Sequence, residues 1–174
     1  YTSEDLRACE FLSWLYNESS VRDKIVVNDR WEKNRGVHGG HYTTEYGVKG
    51  AAKQTFHPWE ECRGLGHSFG YNRFETTEHY MTREKCIETL VDVASRGGNL
   101  LLNVGPTADG RIPTIMQDRL LAIGRWLDVN GEAIYGTTQW LQADEALRDR
   151  KMYFTQKGNA IYLILMRWEK KEIV

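Results

Sequence analysis

Apolar residues near the start of the chain recur at the spacing of a helix. They are Leu6, Phe11, Leu12, Trp14 and Leu15. Residues three and four apart lie on one side of an α-helix, so this pattern predicts an amphipathic helix. Ser3 is of a type that favours the capping position, and the pattern stops near Asn17, so we expect the helix to run between them.

A β-branched run follows at residues 24–28, which read Lys-Ile-Val-Val-Asn. Both of its faces are apolar, and such runs are typical of a parallel strand buried between helices. The run ends in Asp29-Arg30-Trp31. Residues 32–58 are polar and glycine-rich, with one candidate strand at 41–46, and a loop of this length inside a domain is usually functional.

Strand and helix patterns alternate through the middle of the chain. A buried strand is predicted around residues 62–69. Thr82 is placed to cap a helix that ends at Ser95, because Gly97 and Gly98 follow it. An apolar strand is expected at residues 99–104.

The last predicted helix of this region begins at Thr114, which has the spacing of a capping box with Gln117, and ends at Asn130. The alternation of helices and strands up to residue 136 predicts an α/β architecture with a parallel sheet, either open or closed into a barrel. Residues 152–155 and 160–166 flank a turn and predict an antiparallel hairpin that begins a β domain. We therefore expect two domains, residues 1–136 and 137–174.

Composition excludes several classes of function. The net charge is -1 and neither sign forms a block, so no basic stripe predicts a nucleic-acid surface. The three cysteines are widely spaced, the five histidines match no metal-binding pattern, and no glycine-rich phosphate loop or serine-hydrolase elbow occurs. No apolar run is long enough for a membrane span. We therefore expect no metal and no cofactor. Six Trp and nine Tyr are mostly core residues, but they are compatible with a sugar site.

Candidate site residues are those at the ends of predicted strands, because barrel enzymes place their active sites at the carboxyl ends of strands. Arg30 offers a fork of donors suited to hydroxyls or a carboxylate, and its alternative role is to pair with Asp29 or another structural acid. Asn103, near the end of its strand, is a second position of this kind. Phe69 ends another strand, where core packing is the ordinary role for an aromatic ring.

Two glutamate positions are candidate general acids. Glu45 lies in the long polar segment between tyrosines, and its alternative role is that of a solvated loop residue. Glu60 and Glu61 precede a predicted strand, where alternation sends them to opposite faces, so at most one should point into a site. The alternative for this pair is an ion pair with Arg63.

Eight motifs together resemble glycoside hydrolase family 29, the α-L-fucosidases, in the order in which that family has them. They are Trp14-Leu-Tyr-Asn17, Val26-Val-Asn-Asp-Arg-Trp31, Tyr42-Thr-Thr-Glu-Tyr46, Trp59-Glu-Glu-Cys-Arg-Gly64, Ser68-Phe-Gly-Tyr-Asn-Arg73, Leu90-Val-Asp-Val93, Gly97-Gly-Asn-Leu-Leu-Leu-Asn-Val-Gly-Pro106 and Asn130-Gly-Glu-Ala-Ile-Tyr-Gly136. One motif alone would be weak, but eight collinear matches are specific.

The resemblance implies a partial (β/α) TIM-type barrel, its C-terminal half, followed by the start of an antiparallel β-sandwich. It also implies removal of terminal α-L-fucose from glycans or glycoconjugates by a retaining mechanism, with the nucleophilic Asp upstream of this chain. By resemblance Arg30 lines the fucose pocket and Phe69 lies near the sugar's methyl group. Glu45 is the acid/base by resemblance to some members, and Glu60 by resemblance to others.

A hypothesis from another class is that the chain is a noncatalytic carbohydrate-binding or structural fragment, inactive alone because it lacks the nucleophile. Linkage preference and oligomeric state leave no pattern in the sequence. Relatives in the family are exported or lysosomal, which favours an exported bacterial enzyme, or a lysosomal one in a eukaryote.

Overall fold

The computed structural model describes residues 2–33, 40–47 and 57–167. The chain forms two compact units, residues 1–61 and 62–174. The helices and strands, in chain order, are α1 (Ala8–Asn17), β1 (Tyr42–Glu45), β2 (Trp59–Gly64), α2 (Arg83–Ser95), β3 (Gly98–Asn103), α3 (Thr114–Asn130), β4 (Thr138–Gln139), α4 (Ala146–Asp149), β5 (Met152–Lys157) and β6 (Ala160–Leu165).

The first helix, α1, ends at Asn17 as predicted but begins later than predicted. Arg7 has a left-handed backbone (φ 49°), which α-helices do not continue through, so regular helix starts only at Ala8 and the predicted start after Ser3 is wrong. Leu12 and Leu15 pack against Val27. This contact places Val27, two residues before Asp29, against α1.

The predicted buried strand at residues 24–28 is wrong. The amide groups of Lys24 and Ile25 donate to the carbonyl of Val21 in a turn, so they take no part in a ladder, and the Val26 side chain is 72% exposed. Among the described residues, Asn28 is the member of this run that forms a bridge, in parallel with His41. Apolar β-branched residues make a strand only where a neighbouring strand accepts their hydrogen bonds, and composition does not supply that neighbour.

A three-stranded sheet has the order β1-β2-β3. β1 confirms the candidate strand at residues 41–46. β2 starts at Trp59 and ends at Gly64, earlier at both ends than the strand predicted at 62–69, so the prediction that Phe69 ends a strand is wrong. β3 confirms the apolar strand predicted at 99–104 within one residue, and its residues alternate in exposure, with Leu101 48% exposed.

The two long helices of the second unit differ in how they begin. Thr82 caps α2 as predicted, since its hydroxyl accepts a hydrogen bond from the Lys85 amide (3.1 Å), and Gly97 ends the helix region with a left-handed φ of 73°. The capping box predicted at Thr114 is wrong. Pro113 occupies the capping position, Thr114 is already helical, and the Gln117 side chain donates to the Ile112 carbonyl instead (2.6 Å).

The core of the second unit includes Leu65, Tyr80, Cys86 and Met116. Burial raises the pKa of the Cys86 thiol to about 11. Cys9 is exposed, whereas Cys62 and Cys86 are buried.

The C-terminal hairpin is confirmed. β5 and β6 are antiparallel with Lys157 opposite Ala160, and Gly158 in the intervening turn has a positive φ of 56°. β4, which the sequence pattern did not predict, pairs with the other edge of β5. The domain boundary after Gly136 stays a prediction.

Glu88 of α2 links that helix to the hairpin region. It accepts hydrogen bonds from Tyr153 Oη (2.9 Å) and from Lys151 Nζ. Burial pushes the pKa of Glu88 up, but these hydrogen bonds and the charges of Lys85 and Lys151 outweigh it, and the net shift is downward.

Within the described ranges, no helix combines the length and apolar character that crossing a bilayer requires.

Candidate active site

Asp29 and Thr43 form the buried centre of a polar network in the first unit. Each residue is 5% exposed. One carboxylate oxygen of Asp29, Oδ1, accepts hydrogen bonds from the Thr43 amide (3.1 Å) and from the Thr43 hydroxyl (2.7 Å). These contacts hold the segment after Asn28 against β1.

Arg30 connects this network to Glu45. Its Nε donates to the Thr43 hydroxyl oxygen (2.8 Å), and its Nη1 forms an ion pair with Glu45 Oε1. The third guanidinium nitrogen, Nη2, is buried and has no hydrogen-bond partner in the part of the chain that the structure describes. The structure thus brings together two residues that the sequence nominates separately, fifteen positions apart.

Strand alternation explains why Thr43 and Glu45 act on the same side. Residues two apart on a strand point to the same face, so Thr43 and Glu45 both face Arg30, while Thr44 faces away. Thr43 is a member of the network that the sequence analysis missed. The available signal was its position two residues before Glu45 in a predicted strand.

The opposite face of β1 is held by a buried carboxylate. The Thr44 hydroxyl donates to Glu61 Oε2, and the Gly47 amide approaches the same oxygen at 3.4 Å. Glu61 is fully buried, whereas the side chain of Glu60 is 26% exposed. The expectation that these two glutamates lie on opposite faces of their strand is confirmed.

Glu60, the alternative acid/base, has a different neighbour. Its Oε1 lies 3.8 Å from Nε2 of His41, a distance at which the two interact as an ion pair only when the imidazole is protonated. The side chain of Glu45 is more exposed, at 49%, and it is paired with a permanently charged guanidinium. The two candidate acids therefore sit in distinct electrostatic surroundings.

Phe69 lies in the second unit, on the segment between β2 and α2. Its ring is exposed (44% for the residue), unlike a core aromatic. Its backbone carbonyl accepts a hydrogen bond from Nδ2 of Asn103, the last residue of β3. Whether Phe69 shares a pocket with Arg30 stays a prediction.

The described residues contain no cluster of three or more His, Cys, Asp or Glu side chains placed to hold a metal ion. The polar network of the first unit consists instead of carboxylates, a guanidinium and hydroxyls. Such a set can bind hydroxyl-bearing ligands and transfer protons.

Comparison with known proteins points to one family. A sequence profile described as Alpha-L-fucosidase matches residues 1–132. The human tissue alpha-L-fucosidase is 43% identical over 166 residues, which cover 94% of this chain and 35% of that protein. The chain thus spans about a third of the length of this relative.

Solved structures agree with the sequence comparison. A Thermotoga maritima alpha-fucosidase in complex with a mechanism-based inhibitor is 41% identical, with a TM-score of 0.72 over 92% of this chain and 35% of its own. The same enzyme in complex with fucose is 40% identical, with a TM-score of 0.71 over 92% of this chain and 34% of its own.

Proposed function

This chain belongs to the α-L-fucosidase family, and on that premise we propose that the full-length polypeptide carrying it removes terminal α-L-fucose from glycans or glycoconjugates. The chain supplies the acid/base side of the pocket. The observation that carries the proposal is the pairing of Glu45 with Arg30 at the end of β1.

The proposed reaction is a double displacement with retention of configuration. A carboxylate outside this chain attacks the anomeric carbon, the bond to the leaving oxygen breaks, and protonated Glu45 gives its proton to that oxygen. Glu45, now a carboxylate, then removes a proton from water as the water oxygen attacks the anomeric carbon and displaces the first carboxylate. The proposal is supported by a relative, the Thermotoga maritima alpha-fucosidase, which has been solved in complex with a mechanism-based inhibitor.

Arg30 has two roles in this proposal. Its Nη1 pairs with Glu45 in the carboxylate form that acts as base in the second displacement, and its Nε is itself fixed by Thr43. Nη2 is a buried donor without a partner among the described residues, so an acceptor oxygen of a bound sugar would remove an energetic penalty there. Phe69 supplies an apolar surface for the methyl group at C6 of fucose.

We propose a partial barrel for residues 1–136, completed by the upstream part of the full-length polypeptide, and the start of a β-sandwich for residues 137–174. The helix–strand alternation through α3 and the TM-scores to fucosidases support this reading. The upstream part would also carry the nucleophilic Asp.

The test uses the full-length polypeptide and two substrates, an aryl α-L-fucoside with a good leaving group and an alkyl α-L-fucoside with a poor one. Glu45→Gln and Glu60→Gln are compared with the unmodified enzyme. Because a good leaving group departs without protonation, loss of the acid should lower kcat/KM, which reports the first displacement, by roughly 10²–10⁴-fold on the alkyl substrate and spare kcat/KM on the aryl substrate in comparison.

We expect that pattern for Glu45→Gln. For Glu60→Gln we expect a smaller loss of kcat/KM, of about the same size on the alkyl and the aryl substrate. The reverse pattern would assign the acid/base role to Glu60. No hydrolysis of either fucoside by the folded, unmodified enzyme would refute the proposed function itself.

The alternative is that the chain acts alone as a noncatalytic carbohydrate-binding or structural fragment. It is favoured by one observation, that the chain spans 35% of the human relative. The two readings separate in one experiment, in which the purified 174-residue chain and the full-length polypeptide are assayed side by side. We expect turnover by the full-length polypeptide and none by the chain, and turnover by the chain would contradict a nucleophile located upstream.

A further inference from the structure

The segment that carries Phe69 is held from outside by the end of β3. We call residues 66–75 the Phe69 loop. Asn103, at the carboxyl end of β3, donates a hydrogen bond from Nδ2 to the carbonyl oxygen of Phe69. Because this bond is made to the backbone of Phe69, it fixes the position from which the exposed ring projects.

A second contact brings the residues after β3 against the same loop. Gly105 is buried, and a Cβ at this position would overlap the amide nitrogen of Tyr71 and lie 2.5 Å from the carbonyl carbon of Gly70. Only glycine allows the two backbones to approach this closely. Asn103 and Gly105 therefore hold adjacent residues of the loop, one by a hydrogen bond and the other by close packing.

The loop is also closed internally by Glu75. Its Oε1 accepts a hydrogen bond from the Ser68 amide (2.6 Å), and Asn72 Nδ2 donates to the Ser68 hydroxyl oxygen (3.0 Å). A Cβ at Gly66 would lie 2.5 Å from Glu75 Oε2, so the carboxylate fills the space beside the first residue of the loop. The loop that presents Phe69 is thus constrained from within and from β3.

We propose that Asn103 is a positioning residue for sugar selectivity, which acts through Phe69. This inference rests on the proposed function and on the assignment of Phe69 to the methyl group of fucose. Fucose differs from L-galactose only in having a methyl group where galactose has a hydroxymethyl group at C6. An apolar ring held against that methyl group favours fucose, and a ring that shifts away from it loses the preference.

The measured quantity is the selectivity ratio, the kcat/KM for an aryl α-L-fucoside divided by that for the matching aryl α-L-galactoside. A hydrophobic contact of this size discriminates against an added hydroxyl by on the order of 10². Asn103→Asp replaces the amide donor with a carboxylate that repels the Phe69 carbonyl, and we expect the ratio to fall by about tenfold. Asn99→Asp is the matched control, since it adds the same charge at an exposed position on the same strand.

A double variant shows whether Asn103 acts through Phe69. If it does, Phe69→Ala and the combination of Phe69→Ala with Asn103→Asp should have the same selectivity ratio within about twofold. A residue needed only for stability would lower kcat/KM for both substrates equally and leave the ratio unchanged. If Asn103→Asp does not fold, Asn103→Ser takes its place. The serine side chain cannot reach the Phe69 carbonyl and adds no charge, so we expect the same fall in the selectivity ratio.

The outcomes separate this inference from the proposed function. If the unmodified enzyme hydrolyses the fucoside but Asn103→Asp and Asn103→Ser leave the selectivity ratio unchanged, the inference is overturned. The proposed function is then unaffected. Additive effects of Asn103→Asp and Phe69→Ala would also overturn it. If the folded, unmodified enzyme hydrolyses neither the fucoside nor the galactoside, the proposed function is refuted, and this inference with it.

Discussion

Thr43 is the residue whose replacement tests the Arg30–Glu45 pair most directly. Its buried hydroxyl accepts a hydrogen bond from Arg30 Nε and donates one to Asp29 Oδ1. Thr43→Val removes the hydroxyl while it keeps the β-branched shape that suits a strand. The variant therefore takes away one support of the guanidinium without opening a cavity.

The expected loss of stability follows from these two bonds. A hydrogen bond to a charged group contributes about 1.5–3 kcal/mol, and two charged groups lose one bond each. Asp29 keeps the bond from the Thr43 amide and Arg30 keeps its pair with Glu45, so we expect about 2–3 kcal/mol rather than the full sum. Misplacement of a catalytic group by about 1 Å costs up to roughly 10²-fold, so kcat/KM should fall by about 10–100-fold.

Thr44→Val is the matched control. It is the same substitution one residue along β1, and it removes a hydroxyl that donates to the buried Glu61 carboxylate. We expect a comparable loss of stability, because a buried charged acceptor again loses a donor. The contacts of Arg30 with Thr43 and Glu45 remain, so kcat/KM should stay within about twofold of the unmodified enzyme.

Both variants are measured in the full-length polypeptide, by urea unfolding followed through tryptophan fluorescence and by hydrolysis of an aryl α-L-fucoside. The reasoning requires a large difference in kcat/KM at similar free energies of unfolding. Equal losses of kcat/KM in the two variants would show that Thr43 stabilises the fold without orienting Arg30.

Three further predictions concern the fold. Thr82→Ala should lower the free energy of unfolding by about 1 kcal/mol, because the Thr82 side chain caps its helix. Thr114→Ala should change it by less than about 0.5 kcal/mol, because the Thr114 side chain does not cap α3. Equal urea midpoints for the two variants would contradict this. Glu88 has a lowered pKa, so its charge stabilises the fold above the ordinary pKa of an unfolded glutamate, and this contribution is lost as the pH falls through the lower, folded pKa. The stability gap between the unmodified protein and Glu88→Gln should therefore shrink from pH 7 to pH 3 in urea titrations. At pH 8 a thiol reagent should modify exposed Cys9 rapidly and Cys86 only on unfolding, since burial raises the Cys86 pKa to about 11; equal labelling rates would contradict the packing of α2.

Local signals predicted the elements that depend on local interactions. α2 was placed from Thr82 to Ser95 because a cap, an apolar face and a terminating glycine lie within a few residues of each other. The hairpin was placed from its turn for the same reason. At Thr114 the same type of signal failed, because Pro113 occupies the capping position and no side chain caps α3.

Residues 24–28 show why composition alone does not predict a strand. The residues have strand propensity, but among the described residues only Asn28 finds a bridging partner, and Val26 is exposed. Strand formation depends on hydrogen bonds to a segment distant in sequence, which propensity does not encode. The late start of α1 has a similar cause, since the left-handed backbone at Arg7 was not visible in the helical spacing.

The amino-acid sequence by itself determined the family resemblance, the helices with local start and stop signals, and the nomination of Arg30, Glu45, Glu60 and Phe69, because these depend on residue identity and short-range spacing. Only the tertiary structure decided that Arg30 pairs with Glu45 and is held by Thr43, that Glu61 is buried behind β1, and that Asn103 holds the backbone of Phe69. Those contacts join residues 13 to 34 positions apart. They exist because strand pairing and burial bring such residues together, and pattern along the chain does not measure that proximity.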